Sequence, residues 1–225
     1  MRRIIIPVLI NDMVYSLGGM VYAAILGHLG SDVVAANSLA VMGQNFASVL
    51  SRGVSNATAV ILGNSLGANR VQATREYSRR MTVLSAVFGA IGAALIIAIR
   101  PLLLGAYTDR LSAATLTLTG SFLLMQMIRI FAESLNTCWN CGCFRAGGDS
   151  RFGAIVDGIS LWLFVLPVAA FLAFILRIPV EWVFCFLCFD ELIKMPVFYS
   201  HYRKFGWMKN LTHEIDEEGQ SAVFS

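Results

Sequence analysis

Charge is scarce in this chain of 225 residues: Asp, Glu, Lys and Arg make up 14% of it, 57% is hydrophobic, and the mean hydropathy is +0.69. A soluble domain of this length needs roughly a quarter of its residues charged to cover its surface. The composition therefore excludes a body solvated all round. Histidine is rare too, with three residues and no cluster, and the five cysteines are an odd number lying in or beside apolar runs. That usage argues against a secreted disulfide framework. Phosphate loops and nucleophile elbows are missing, so the sequence offers no support for an enzyme or a bound cofactor. The formal net charge of +3 reads as a statement about topology and carries no argument for nucleic acid.

What is present is a series of apolar runs, each long enough at 1.5 Å per residue to cross a hydrocarbon layer of roughly 30 Å. Six spans are expected, at about 4–28, 33–63, 80–99, 113–141, 153–176 and 180–201, giving an all-α integral membrane bundle over residues 1–211. The acidic tail at 212–225 lacks an apolar period and is expected to be disordered. The first run is too long for a signal peptide and contains Pro7, Asn11 and Asp12. Pro7 is expected to kink the helix before Asp12. Gly19, Ala23 and Gly27 form a strip of small residues suited to close helix approach, and Gly89 with Ala93 offers a second.

Eleven basic residues (Arg2, Arg3, Arg70, Arg75, Arg79, Arg80, Arg145, Arg151, Arg203, Lys204, Lys209) fall on one side of these spans. Only Arg100, Arg110 and Arg177 fall on the other. Basic flanks are retained in the cytoplasm, so both termini are expected there, in a multi-pass protein of the plasma membrane. The segment from Arg70 to Arg80 reads as a helix at the cytoplasmic interface, and Arg100-Pro101 as the end of the third span.

Polar residues interrupt the apolar runs at helical spacing. Gln126, Arg129, Glu133, Asn136 or Thr137, and Asn140 recur every three or four residues, which places them on one helix face. Asn37, Gln44, Ser48, Ser51 or Arg52, and Ser55 do the same on the second span. A charge facing lipid costs about 2.5–3.5 kcal/mol on insertion scales, so Asp12, Arg52, Arg129, Glu133, Asp157, Asp190, Glu191 and Lys194 are expected to turn inward to a shared polar cavity near the cytoplasmic leaflet. Glu191 and Lys194 are spaced as a helix-face pair; Arg129 and Glu133 could pair as well, although base before acid is the weaker order. Asp12 has no partner on its own helix, so it needs a proton or a tertiary partner such as Arg52. Cys138, Cys141 and Cys143 resemble a metal clip, but a four-ligand site needs a second pair, and no metal site is expected. The glycosylation-type triplets at Asn56 and Asn210 read as chance.

Several stretches in order, Pro7-x4-Asp12 with Tyr15-Ser-Leu-Gly18, Leu26-Gly-His-Leu-Gly30, Val34-Ala-Ala-Asn37, Ala59-Val-Ile-Leu-Gly63-Asn-x-Leu-Gly67-Ala and Arg145-Ala-Gly-Gly-Asp149-Ser-Arg-Phe152, resemble the multidrug and toxic compound extrusion (MATE) family. The resemblance reaches to Leu211. It implies one six-helix lobe of a twelve-helix transporter. The Gly-Gly-Asp turn and the closing Lys-Met-Pro and Trp-x-Lys-Asn pattern resemble the carboxy-terminal lobe. The implied activity is export of organic, usually cationic compounds, driven by H+ or Na+ through alternating access. Asp12, in place of the more usual Glu, with Asn11, Tyr15 and Glu133, is then the expected cation-coupling set; Gln44, Ser48, Arg52, Gln126, Arg129, Asn136 and Asn140 are the expected substrate cavity. The expected partners are an amino-terminal six-helix lobe or a second chain, an organic cation and membrane lipid. A lipid or lipid-linked precursor flippase and a non-transporting fragment are the alternatives.

Overall fold

The structure is a computed structural model that describes residues 2–208, with side chains described at Met13 and from Ser16 onward. It is all-α among these residues. Six rods run in order: α1 (Arg2–His28), α2 (Ser31–Gly67), α3 (Val71–Tyr107), α4 (Ala113–Thr137) continued by a π-helical segment (Cys138–Phe144), a fifth rod over Ser150–Ile175, and a sixth built from α7 (Val180–Cys188) and α8 (Asp190–Lys204). The fifth rod is itself α5 (Ser150–Ile159) and α6 (Leu166–Ala170), joined by a π-helical segment at Ser160–Val165 and followed by another at Phe171–Ile175.

Four rods, α2, α3, α4 with its π segment, and the fifth, have the length and hydropathy to cross a membrane. The sixth is divided at Phe189, so neither piece reaches that length alone. Helix α1 runs unbroken through Pro7. The outward faces are apolar, with Leu102 72% exposed and Leu163 67% exposed. That is the surface a bilayer stabilises and water does not.

Helix α3 is much longer than the run 80–99. Its 37 residues span about 55 Å at 1.5 Å each, so it overshoots the hydrocarbon layer at both ends. The basic segment from Val71 to Arg80 is its first part and no separate interfacial helix. Pro101 does not stop it, because proline removes a single backbone donor; the next residue back, Arg100, donates its Nε to the Gly120 carbonyl at 3.2 Å and ties the region to α4.

Small residues let α2, α3 and α4 pack closely. A Cβ on Gly92 would stand 2.8 Å from the Ala47 carbonyl oxygen, and one on Gly89 would stand 2.8 Å from Ser134 Cβ. On α1 the close approach is at Gly18, where a Cβ would meet Leu161 at 2.3 Å. The expected strip of Gly19, Ala23 and Gly27 is exposed, with open space over both glycines. One residue is 100° of helix turn, which separates Gly18 from Gly19.

Two apolar clusters fill the interior. The first includes Phe122 stacked on Phe184 at 3.8 Å, and takes Leu123 and Ile130 from α4. The second gathers Leu62, Leu135, Trp139, Phe144, Phe198, Tyr202 and Trp207 at the end that carries most basic residues. The polar face of α4 lies between and beside them.

Candidate functional site

Helix α4 carries the candidate site. From Gln126 to Asn140 its polar face extends about 21 Å at the helical rise, too far for a single cluster. The charges accordingly form two groups, not the one shared pocket expected from the sequence.

The first group joins α2 to α4. Gln44 Nε2 donates to Glu133 Oε2 at 2.7 Å, and Arg129 Nη1 donates to Gln44 Oε1 at 3.2 Å, so Gln44 stands between the acid and the base. Arg52 Nη2 lies 3.8 Å from Glu133 Oε1. The Arg52 side chain is 56% exposed and that of Glu133 is 18% exposed. Arg129 also acts electrostatically on Tyr22 of α1, Cys188 of α7 and Glu191 of α8.

The second group is centred on Lys194, whose side chain is 4% exposed. Its Nζ lies 3.3 Å from Asp157 Oδ1, 2.9 Å from Asp190 Oδ2 and 3.0 Å from Glu191 Oε1. Three carboxylates around one ammonium leave a formal charge of two negative. Neutral donors surround them: Ser160 Oγ to Asp190 Oδ1 at 2.6 Å, Asn140 Nδ2 to Asp157 Oδ2 at 2.8 Å, and Asn136 Nδ2 to both the Glu191 carbonyl at 2.7 Å and its Oε2 at 2.9 Å. Buried carboxylates persist only when paired and hydrogen-bonded in this way.

Local backbone geometry makes the second group possible. A π-helical turn holds one more residue than an α turn and re-aims the side chains that follow it. The segment Cys138–Phe144 swings Asn140 toward α5, where Gly153 leaves the room it needs: a Cβ there would fall 1.7 Å from Asn140 Oδ1. Where the α-helix ends, Ser55 Oγ of α2 donates to the Thr137 carbonyl at 2.8 Å. Gly142 lets the π segment lie against Thr58 and the Ser55 carbonyl.

The residues singled out from the sequence fall as follows. The side chains of Asn11, Asp12 and Tyr15 lie outside the described residues. Glu133, Gln44, Arg52 and Arg129 come together. Asn136 and Asn140 bind the Lys194 group instead of lining an open cavity. Ser48 bonds to the Asn45 carbonyl of its own helix at 3.3 Å. Gln126 is 0% exposed and neither of its polar atoms has a hydrogen-bond partner among the described residues. Asp157 and Asp190, expected among the inward-facing charges but not among the coupling or substrate residues, join Lys194, and Ser160, which the sequence did not single out, bonds to Asp190; acid before base at 190/194 and 191/194 is the favourable helical order. The five cysteines form no disulfide, and the described residues hold no group of three or more metal-type ligands.

A polytopic helical lobe with charges buried between its rods defines an integral membrane class of protein. The MatE family model matches residues 7–182, and the chain belongs to that family. A relative, the probable multidrug resistance protein NorM of Bradyrhizobium diazoefficiens, is 30% identical over 161 residues, which is 68% of this chain and 33% of the relative. Among solved structures, the Vibrio cholerae MATE transporter VcmN in its bent form is similar at TM-score 0.76 and 19% identity, over 88% of this chain and 44% of that one. A MOP superfamily transporter from Pyrococcus furiosus is similar at TM-score 0.74 and 16% identity, over 90% and 44%. The chain thus spans a third to under half the length of these proteins.

Proposed function

We propose that the chain is one six-helix half of a cation-coupled antiporter, which exports organic, cationic compounds across the plasma membrane by alternating access, with both termini cytoplasmic. Alternating access needs two bodies rocking about a site near the midplane; an amino-terminal lobe or a second chain supplies the other. The observation that carries this reading is the pair of charge groups set along α4, one joining Glu133, Gln44, Arg52 and Arg129 and the other centred on Lys194. A charged group that gains or loses a cation changes which helix packing is stable, and that is the differential free energy a coupled transporter requires.

The two groups suit different steps. Glu133, partly exposed and held by Gln44 and Arg52, can exchange a proton or Na+ with an aqueous cleft, as Asp12 is expected to do on α1. At the second group Lys194 already takes the place of a metal cation among the carboxylates, so the ion that fits there is a proton. On α2 the exposed residues Ser38, Met42, Asn45, Val49, Arg52 and Asn56 recur every three or four positions. Such a mixed polar strip fits a cleft wall facing the second lobe better than it fits lipid.

The test is dye efflux under an imposed H+ or Na+ gradient, with this chain joined to its amino-terminal lobe. Glu133→Gln and Asp12→Asn are each expected to lower coupled efflux about tenfold, corresponding to about 1.4 kcal/mol of coupling free energy. Coupled efflux unchanged in both variants rejects these carboxylates as ion carriers. A flippase reading draws on a separate observation, an apolar groove of about 550 Å³ lined by Leu172, Ile178, Trp182, Phe186 and Phe189. Competition by lipids but not by cationic dyes would favour it.

A further inference from the structure

The end of the bundle that carries most of the basic residues holds a built arrangement that transport does not require. The nineteen residues from Met81 to Ile99 on α3 carry no charge, and at about 28 Å they match the hydrocarbon thickness. Arg79 therefore stands at the edge of that layer and Arg75 one turn beyond it, at the depth of lipid phosphates. Both side chains are exposed, and both converge on one aromatic ring: Arg75 Cζ is 5.0 Å and Arg79 Cζ 5.9 Å from the centroid of Phe205. Arg203, two residues before Phe205 at the end of α8, lies over Tyr199 at 5.7 Å.

The ring under the two guanidiniums is rigidly placed. Phe205 ends α8 in the left-handed region, at φ 53°. That conformation disfavours a bulky side chain and is usually left to glycine, so the surrounding contacts must hold it. Trp207, 0% exposed, is clamped under the turn at Gly147, where a Cβ would stand 2.0 Å from the Trp207 carbonyl oxygen. Its Nε1 donates to the Tyr202 carbonyl at 3.3 Å, and the Tyr202 hydroxyl lies 3.3 Å from Ser78 Oγ, next to Arg79. Nearby acids among the described residues are already engaged, Glu76 by Arg80 and Asp149 by His201 at 2.8 Å.

We propose that Arg75 and Arg79, held over Phe205, bind the phosphate of an anionic glycerophospholipid in the leaflet that adjoins this end of the bundle. Guanidinium forks match phosphate oxygens in pairs, an anionic leaflet supplies the attraction, and stacking on the ring fixes both forks before the lipid arrives. The site acts whether or not the transport reading holds.

The experiment uses the full chain in detergent micelles titrated with phosphatidylglycerol, phosphatidylcholine or inorganic phosphate, read by retention in native mass spectrometry and by the shift in thermal unfolding midpoint. Phosphatidylglycerol is expected to be retained and to raise the midpoint, while the other two leave it unmoved. Arg75→Gln with Arg79→Gln is expected to weaken retention about thirtyfold, two arginine contributions at an anionic surface. Phe205→Ala, which keeps every charge, should weaken it too, and Phe205→Tyr should restore it. Arg151→Gln, exposed at the same end, should change nothing. Equal losses from Arg151→Gln and the double variant would overturn the site in favour of diffuse charge. Equal binding of inorganic phosphate would overturn the lipid. Retention that appears only after removal of residues 212–225 would assign the arginines to that acidic tail and also overturn the proposal.

Discussion

Lys194 shows what a single side chain does here. Its ammonium is the only cation within 3.3 Å of Asp157, Asp190 and Glu191 among the ion pairs of the described residues, and all four groups are largely removed from solvent. Removing one partner of a buried ionic group costs far more than a surface salt bridge is worth, because the remaining charges stay desolvated. Lys194→Met is expected to destabilise the chain by about 3–5 kcal/mol, read as a lowered unfolding midpoint in detergent. Arg80→Gln, which removes the exposed pair with Glu76, should cost no more than about 1 kcal/mol. Equal small effects would mean that the Lys194 group is open to water. The helical pair 191/194 was read from spacing alone, and 190/194 came from the structure. Asp157 was not legible from spacing, since its partners come from another rod.

Among the elements, the π segment after α4 decides most. The recurrence of polar residues from Gln126 to Asn140 predicts one uninterrupted face, and an α-helix throughout would keep it. The segment Cys138–Phe144 departs from that period, and Asn140 turns to Asp157 as a result. Nothing in Cys-Trp-Asn-Cys-Gly-Cys-Phe announces an i→i+5 bond pattern, because the cause lies outside it: Ser55 donates to the Thr137 carbonyl, and Gly142 and Gly153 make space. Deleting Cys141 is expected to restore the α register and break the bond from Asn140 to Asp157, while Cys141→Ala keeps the length and should be nearly neutral. Thermostability by size-exclusion chromatography separates the two. A deletion as well tolerated as the substitution would show that the extra residue is idle. The division of the last rod at Phe189 was equally hidden, since the residues on both sides favour helix.

For the whole molecule, the exposed strip on α2 is the feature left unfinished. Arg52, Asn45 and Asn56 present exposed polar groups on a rod long and apolar enough to cross a membrane, where lipid is a poor solvent for them. Asn45, which also lines a groove of about 370 Å³ on that face, is expected to meet water between two lobes. Asn45→Cys in the joined protein should react with a membrane-impermeant thiol reagent from one side, with a rate that changes when the ion gradient is reversed. Reaction from neither side, with reaction restored in detergent, would place this face in lipid and remove it from the transport pathway.

The sequence by itself determined the solvent and the class of fold: too few charges to face water, apolar runs of membrane length, an uneven split of arginines and lysines, and motifs ordered as in the MATE family. These follow from composition and one-dimensional period, which need no knowledge of what touches what. Only the tertiary structure decided that the buried charges divide into two groups, that Gln44 stands between Arg129 and Glu133, and that three helices deliver carboxylates and amides around Lys194. The physical reason is range. Burial in a bilayer acts on each residue as it stands in its helix, whereas an ion pair or amide bond is made over about 3 Å between side chains tens of residues apart, once packing and backbone irregularities have set their aim.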